Sequence, residues 1–114
     1  MSGEPTRPAE ESTAPAEQIT DEEAFDRLIA SEERVLVDFY ADWCGPCQLM
    51  APTVDELAAE CAVPVVKVDT EGLPQVAYRY DVQSIPTFLV LENGEATDRL
   101  VGMQNKETLS RLLE

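Results

Sequence analysis

The chain has 114 residues, of which 44% are hydrophobic, and its 23 acidic residues face only eight basic ones, so that the net charge is −15. This length predicts one domain with a real hydrophobic core, and no apolar run approaches the length of a membrane span. A surface this anionic repels the phosphate backbone. We therefore expect neither a membrane anchor nor a nucleic-acid partner.

Residues 1–17 are predicted to be a disordered acidic tail. They are rich in Pro, Glu, Ala, Ser and Thr, and they contain no aliphatic side chain larger than alanine after Met1. Such a segment cannot bury enough surface to offset the entropy of ordering it. The predicted folded domain is therefore 18–114. No basic region followed by an apolar stretch marks a secretory signal, and three cysteines, an odd number, suit a reducing compartment, so we expect the cytoplasm.

The negative charge is not confined to the tail. Residues 1–17 carry four acidic residues and one basic residue, a net charge of −3, which leaves −12 for residues 18–114. Self-repulsion of this size destabilises a compact state at low salt, and molar salt screens it over a few ångströms. The charge favours the hypothesis of a salt-adapted protein from a high-salt cytoplasm over an ordinary acidic protein.

A first helix is predicted to begin after Thr20. Thr20 and Glu23 have the spacing of a capping box, and Phe25, Leu28 and Ile29 recur on one helical face. The helix is therefore expected to pack this apolar face onto the core.

The segment 35–40 is predicted to be a buried strand, because it is almost entirely β-branched or aromatic. Asp38 interrupts this run. A buried carboxylate is costly, and its pKa rises unless the group is paired. Because perturbed carboxylates cluster at active sites, we predict a functional role for Asp38. The alternative is a carboxylate that reaches solvent.

Two cysteines follow the strand at the predicted start of a helix running from Gly45 to Glu60. Pro46 suits the first turn of that helix. Residues three apart lie on one helical face, so Cys44 and Cys47 can touch. Free N–H groups and the dipole at the helix start favour a thiolate at Cys44. This thiolate can attack a disulfide, and Cys47 can resolve the mixed disulfide that results.

A structural disulfide and a zinc site are the two alternatives for this pair. Closing so short a loop constrains the unfolded chain by only about 2 kcal/mol. Structural zinc takes four ligands from Cys and His, and the chain has three Cys and no His. A strand–CxxC–helix context therefore favours a redox-active pair without a metal.

The remainder of the second helix is predicted to have a kink, and it contains a third cysteine. Pro52 removes a backbone hydrogen bond inside the helix. Cys61 continues the apolar face, and we interpret it as a small core thiol rather than a regulatory one. The predicted buried positions are Leu49, Met50, Val54, Leu57, Ala58 and Cys61.

The next strand, predicted over 63–69, has an interruption of its own at Lys67. Interruptions of opposite sign on neighbouring buried strands indicate a partly buried pair of Asp38 and Lys67. The alternative for Lys67 is a side chain whose ammonium reaches solvent along an apolar stem.

The C-terminal part of the chain predicts a helix over 71–80, a turn containing Ile85 and Pro86, and a strand over 88–91. Asn93 and Gly94 indicate a hairpin into a last strand over 96–101. A glycine after that strand, Gly102, suits either turn geometry or the close approach of a substrate backbone. Asn105 can cap a final helix.

These motifs resemble the thioredoxin family over about residues 19–114. The sequence Trp43-Cys44-Gly45-Pro46-Cys47 follows Val37-Asp38-Phe39, and Ile85-Pro86-Thr87 and Val101-Gly102 come in the expected order. The resemblance implies an α/β thioredoxin fold, in which helices flank both faces of a central mixed sheet, with the element order β-α-β-α-β-α-β-β-α. It also implies a short first strand near Ile19.

The family likeness further implies the activity, a thiol–disulfide oxidoreductase that reduces protein disulfides without a cofactor. It implies a cis Ile85–Pro86 bond, an acid–base pair of Asp38 and Lys67, a thioredoxin reductase and disulfide-containing client proteins as partners, and a monomer. The implied substrate groove consists of Trp43, Gly45, Pro46, Ile85, Pro86 and Gly102.

Two departures and two alternatives accompany this interpretation. Tyr40 stands where many members have Trp, and Gln48 where Lys or Arg is common, which leaves the Cys44 thiolate less favoured. An oxidase or isomerase would use the same chemistry at a different reduction potential. A non-enzymatic thioredoxin-like binding or chaperone module would function without the cysteines.

Overall fold

The computed structural model describes residues 16–114, and the elements in this range follow the predicted order. The strands are β1 (Glu17–Ile19), β2 (Arg34–Tyr40), β3 (Val65–Asp69), β4 (Thr87–Glu92) and β5 (Glu95–Val101). The helices are α1 (Glu22–Ser31), α2 (Gly45–Glu60), α3 (Pro74–Arg79) and α4 (Lys106–Leu112). The predicted tail of residues 1–17 lies outside the described residues except for its last two.

The five strands described here form one mixed sheet in the order β1-β3-β2-β4-β5. Strand β3 runs parallel to both β1 and β2, whereas β4 is antiparallel to β2 and β5. The central position belongs to β2, the strand that leads into the two cysteines. Its residues lie between two hydrogen-bonded neighbours, which suits a run of β-branched and aromatic side chains.

Alternate residues of β2 enter two separate cores, because successive side chains of a strand point to opposite faces. Val35, Val37 and Phe39 pack with Phe25 of α1 and with α3. Leu36 packs instead with α2 and α4. The sheet therefore has helices on both faces, as expected, and Asp38 and Tyr40 share a face with Leu36.

The folded domain includes Ala16 and Glu17, which were predicted to belong to the tail. The N–H of Ala16 donates a hydrogen bond to Oδ1 of Asp55 on α2, 3.0 Å away, and Ala16 is buried. Residues 17–19 then pair with β3. Ala16 and Glu17 thus both contact the folded domain, whose predicted boundary was residue 18.

Several element ends differ from the predictions. Helix α3 begins at Pro74 rather than at residue 71, and β3 begins at Val65 rather than at residue 63. The hairpin is as predicted: Asn93 and Gly94 both have positive φ, 53° and 85°, as a type I′ turn requires. None of the helices in residues 16–114 is long and apolar enough to cross a membrane.

The prediction that Leu49 is buried is wrong, since 69% of this residue is exposed. Met50, Val54 and Leu57 of the same helix are buried, and Ala58 and Cys61 pack against their cluster. Leu49 lies about 100° around the helix from Met50. It therefore falls outside the stripe that faces the sheet.

The cap of α1 is Asp21 rather than the predicted Thr20. The side chain of Asp21 accepts a hydrogen bond of 2.7 Å from the N–H of Ala24. Asp21 has extended backbone angles, as an N-cap requires. Both residues carry a suitable side-chain oxygen. Because the helix begins at Glu22, the residue in the capping position is Asp21.

Replacing the cap gives a test of this assignment. We expect Asp21→Ala to lower the free energy of unfolding by about 1 kcal/mol, because one N–H of the first turn loses its acceptor. Thr20→Ala is the matched control and should change it by less than about 0.5 kcal/mol. Urea denaturation of both variants measures the difference. A larger loss for Thr20→Ala would contradict the assignment.

Candidate active site

The two cysteines lie where β2 ends and α2 begins. A tight turn brings the N–H of Cys44 to the carbonyl of Ala41, 3.1 Å away. Cys44 is the N-cap of α2, and Pro46 stands in its first turn. Both cysteines are buried, with 4% and 6% of Cys44 and Cys47 exposed. The sequence motif therefore has the structural context that was predicted for it.

The two sulfur atoms are joined as a disulfide, and the Cα atoms of Cys44 and Cys47 are 5.2 Å apart. Sγ of Cys44 also accepts a hydrogen bond from the N–H of Cys47 at 3.2 Å. In the reduced protein this N–H and the helix dipole would favour negative charge on the same sulfur. The geometry thus supplies an oxidisable pair in which one sulfur lies where negative charge is stabilised.

Asp38 lies in the middle of β2, and only 2% of it is exposed. Within residues 16–114 its Oδ1 atom has no hydrogen-bond partner. Burial raises the pKa of this carboxyl to about 7; Lys67 opposes the shift, and Asp55 adds to it. The expected perturbed carboxylate is therefore present, and its cause is loss of solvation.

Asp38 and Lys67 are neighbours in the sheet but do not form a close ion pair. They are register partners on β2 and β3. The ammonium of half-buried Lys67 lies over the ring of Tyr40, with Nζ 4.8 Å from the ring centroid. Tyr40 in turn accepts a hydrogen bond at its phenol oxygen from Nε2 of Gln18. The structure thus places Asp38 and Lys67 side by side, as predicted, and shows that Tyr40 and Gln18 belong to the same group of contacts.

A cavity of about 130 Å³ lies beside this group. Its volume has room for water molecules. The cavity places Cys47 and Lys67 on one shared surface, which links the redox pair to the charged group. Its lining residues are Tyr40, Ala41, Asp42, Cys47, Gln48, Ala51 and Lys67.

The turn at Ile85 and Pro86 packs near the cysteines. The Ile85–Pro86 peptide bond is cis, as the family resemblance implied, and Ile85 packs against the cluster that contains Cys44 and Cys47. The N–H of Gly102 donates to the carbonyl of Pro86 at 2.8 Å. The predicted groove residues Ile85, Pro86 and Gly102 are therefore adjacent to one another.

Gly102 has a φ of +91°, and a Cβ built on it would meet no atom within 4 Å. Turn geometry therefore accounts for this glycine, because side chains with a Cβ rarely adopt such a φ. The open space above it leaves room for another chain as well.

Trp43 is exposed, with 68% of it accessible. Its indole N–H donates to Oε2 of Glu71 at 2.6 Å. Gly45 has open space around its Cα. An exposed indole beside two cysteines presents an apolar surface at the mouth of the site.

Tyr40, Gln18 and Glu71 contact the predicted site residues or one another, and the sequence did not identify them as part of the site. Tyr40 was noted only as a departure from the family pattern. Its position two residues after Asp38 on one strand is a signal that both side chains point to the same face. Gln18 and Glu71 reach the site from distant segments, and no local sequence pattern predicts their contacts with it.

Cys61 stands apart from the site, as predicted. It ends α2 and packs against the core cluster around Leu57. Burial raises the pKa of its thiol, Glu60 raises it further, and Lys106 partly opposes the shift. A thiol held in its protonated form is a poor nucleophile.

Comparisons with known proteins agree with this geometry. The family model for thioredoxin matches residues 16–114. Thioredoxin 1 of Nostoc is 46% identical over 101 residues, which cover 87% of this chain and 94% of that protein. The chloroplastic M-type thioredoxin of Pisum sativum is 45% identical, and the match covers 85% of this chain but 58% of that protein.

Solved structures show the same likeness. A mutant thioredoxin from Halobacterium salinarum superposes with a TM-score of 0.82 at 34% identity, over 89% of this chain and 91% of that one. Thioredoxin from Plasmodium falciparum gives a TM-score of 0.80 at 35% identity, over 86% and 96%. With the Cys44–Cys47 pair in place, the chain belongs to the thioredoxin family and is a protein-disulfide oxidoreductase that works by dithiol–disulfide exchange.

Proposed function

We propose that Cys44 is the attacking nucleophile and Cys47 the resolving thiol. The observation that carries this assignment is the N–H of Cys47, which donates to Sγ of Cys44 at the start of α2. The Cys44 thiolate attacks a client disulfide, and one client sulfur leaves as a thiolate. Cys47 then attacks Sγ of Cys44, the mixed disulfide breaks, and the second client thiolate leaves. The client gains two electrons as the Cys44–Cys47 disulfide forms.

Asp38 accepts the proton of Cys47 in this proposal. A carboxyl with a pKa of about 7 is poised to take and release a proton near neutral pH. The cavity that Cys47 and Lys67 line has room for a water molecule, and Lys67 is the strand neighbour of Asp38. Lys67 tunes the carboxylate through its positive charge.

A shallow groove would hold the client. Trp43 and Val101 are exposed apolar residues at its rim, and the open space above Gly102 admits a backbone. Family resemblance supports a client segment pairing with the backbone of Ile85, a small case of strand addition. Gly45 and Pro46 complete the floor beside the cysteines.

The wider setting rests on the sequence and the family likeness. A thioredoxin reductase would restore the dithiol, disulfide-containing proteins would be the clients, and a monomer in the cytoplasm would be the working form. The charge of −15 supports a salt-adapted protein.

Reduction of insulin disulfides tests the function directly, run at low and at molar KCl. We expect activity that is lost in Cys44→Ser, a reduction potential on the reducing side, and a rate and a free energy of unfolding that both rise with salt because screening relieves self-repulsion. Cys61→Ser is the matched control and should keep full activity.

Inactivity at both salts with an intact fold would favour a binding or chaperone module instead. A potential on the oxidising side would indicate an oxidase or isomerase. Equal stability at low and molar salt would refute the salt adaptation alone.

A further inference from the structure

The ring of Tyr40 occupies a position between the sheet edge and the redox pair. Tyr40 ends β2 with 9% of its surface exposed, and one face of its ring carries the Lys67 ammonium at 4.8 Å from the centroid. A cation within about 6 Å of the centroid of an aromatic ring is attracted by the ring quadrupole. The ring thus gives a long, flexible side chain one preferred place.

Gln18 of β1 holds the ring from its outer end. Its side-chain amide donates to the phenol oxygen of Tyr40, and Gln18 is itself the register partner of Lys67. The three side chains therefore join the edge strand, β3 and β2 at one point.

Lys67 and the resolving cysteine line one cavity. Tyr40, Lys67 and Cys47 line the same cavity of about 130 Å³, and Lys67 is also the register partner of Asp38. In an interior of low dielectric a nearby cation stabilises a thiolate more than it does in water.

We propose that the ring of Tyr40 positions the Lys67 ammonium in the cavity beside Cys47, where that charge stabilises the resolving thiolate as it forms. The inference deepens the proposed function and rests on its assignment of Cys47. In the step concerned, the Cys47 proton passes to the Asp38 carboxylate, the Cys47–Cys44 bond forms, and the Cys44–client bond breaks with the electron pair leaving on the client sulfur.

The other charged groups around Lys67 are acidic, so its placement decides the local balance. Burial is the largest cause of the raised pKa of Tyr40, and Asp69, Asp42 and Asp38 raise it further. Asp55 approaches Asp38 from α2. Among these described groups Lys67 is the cation. Without its ammonium in this position, no positive charge among these residues would offset the aspartates when the Cys47 thiolate forms.

Stopped-flow reaction of the reduced protein with an aromatic disulfide such as dithionitrobenzoate separates the two steps. The first coloured thiolate appears at a rate proportional to reagent and reports attack by Cys44. The second appears at a rate independent of reagent and reports resolution by Cys47. Loss of the first phase would refute the proposed function itself, whereas a change confined to the second phase concerns Tyr40 and Lys67.

We expect Tyr40→Leu to slow the second phase about three- to tenfold at neutral pH and to move its pH midpoint upward by about half to one unit. Tyr40→Phe is the matched control, since it keeps the aromatic face and loses only the hydroxyl. It should stay within about twofold of the unmodified protein.

A double-mutant cycle separates positioning from a packing defect. In a Lys67→Met background, Tyr40→Leu should slow resolution no further, because the ring then has no cation to place. An equal slowing in both backgrounds would overturn the proposal.

A second measurement needs no variant that might misfold. In the unmodified protein the ring current of Tyr40 should shift the ε-methylene protons of Lys67 upfield, because the side-chain end lies over the ring. Ordinary random-coil shifts for these protons would also overturn the proposal.

Discussion

Replacing Cys47 with serine should convert the protein into a trap that stays covalently bound to its clients. Cys44 keeps its place at the start of α2 and its acceptor position toward the N–H of residue 47. It can therefore still attack, but no second thiol releases the mixed disulfide. We expect turnover to fall by about a thousandfold or more, with client proteins bound through Cys44.

Affinity purification of Cys47→Ser from cells, followed by elution with a reductant, measures this trapping. Cys44→Ser should capture nothing, because it lacks the attacking sulfur. Cys61→Ser should neither trap clients nor lose turnover, since this half-buried residue packs against the core cluster around Leu57 and stands apart from the site. Clients captured through residue 47 in Cys44→Ser would reverse the assigned roles.

The contribution of Asp38 to the free energy of unfolding should fall as pH rises from about 4 to about 7. The pKa of this carboxyl is 3.8 in its ordinary state and about 7 in the fold. Between these values the folded chain holds a proton that the unfolded chain has released, so stability decreases with pH. The difference of about three pKa units corresponds to a loss of about 4 kcal/mol in the free energy of unfolding by pH 8.

Asp38→Asn removes this titration. Denaturation from pH 4 to pH 8 should show the variant gaining about 4 kcal/mol relative to the unmodified protein across that range. The comparison uses the change with pH, because a buried amide has a desolvation cost of its own. Asp98→Asn, at an exposed position on β5, is the control and should follow the unmodified curve. Parallel curves for Asp38→Asn would contradict the raised pKa.

Activity gives an independent test of the role of Asp38. Resolution by Cys47 should be slower in Asp38→Asn near neutral pH, because the proton acceptor is missing. The inflection of the rate near pH 7 should disappear as well. An unchanged pH–rate profile would remove Asp38 from the mechanism and leave it only a cost to stability.

Features that depend on a few neighbouring residues were predictable from the chain alone. The spacing of Cys44 and Cys47, the first-turn proline, the buried strand and the Asn93-Gly94 hairpin all follow from local geometry. The bounds of α2 match the prediction. The pattern does not distinguish equally suited neighbours, such as Thr20 and Asp21 as a cap, because a shift of one residue changes the cap without changing the pattern.

The tertiary structure decided everything that depends on which segments meet. Asp38 and Lys67 are 29 positions apart in the chain; their opposite charges predicted a pair, and the pairing of β2 with β3 sets their register. The ammonium of Lys67 lies over Tyr40, and Gln18 reaches that ring from the edge strand. Local sequence carries the chemistry of the cysteines, whereas the charge environment around them comes from strand register, which no short segment determines.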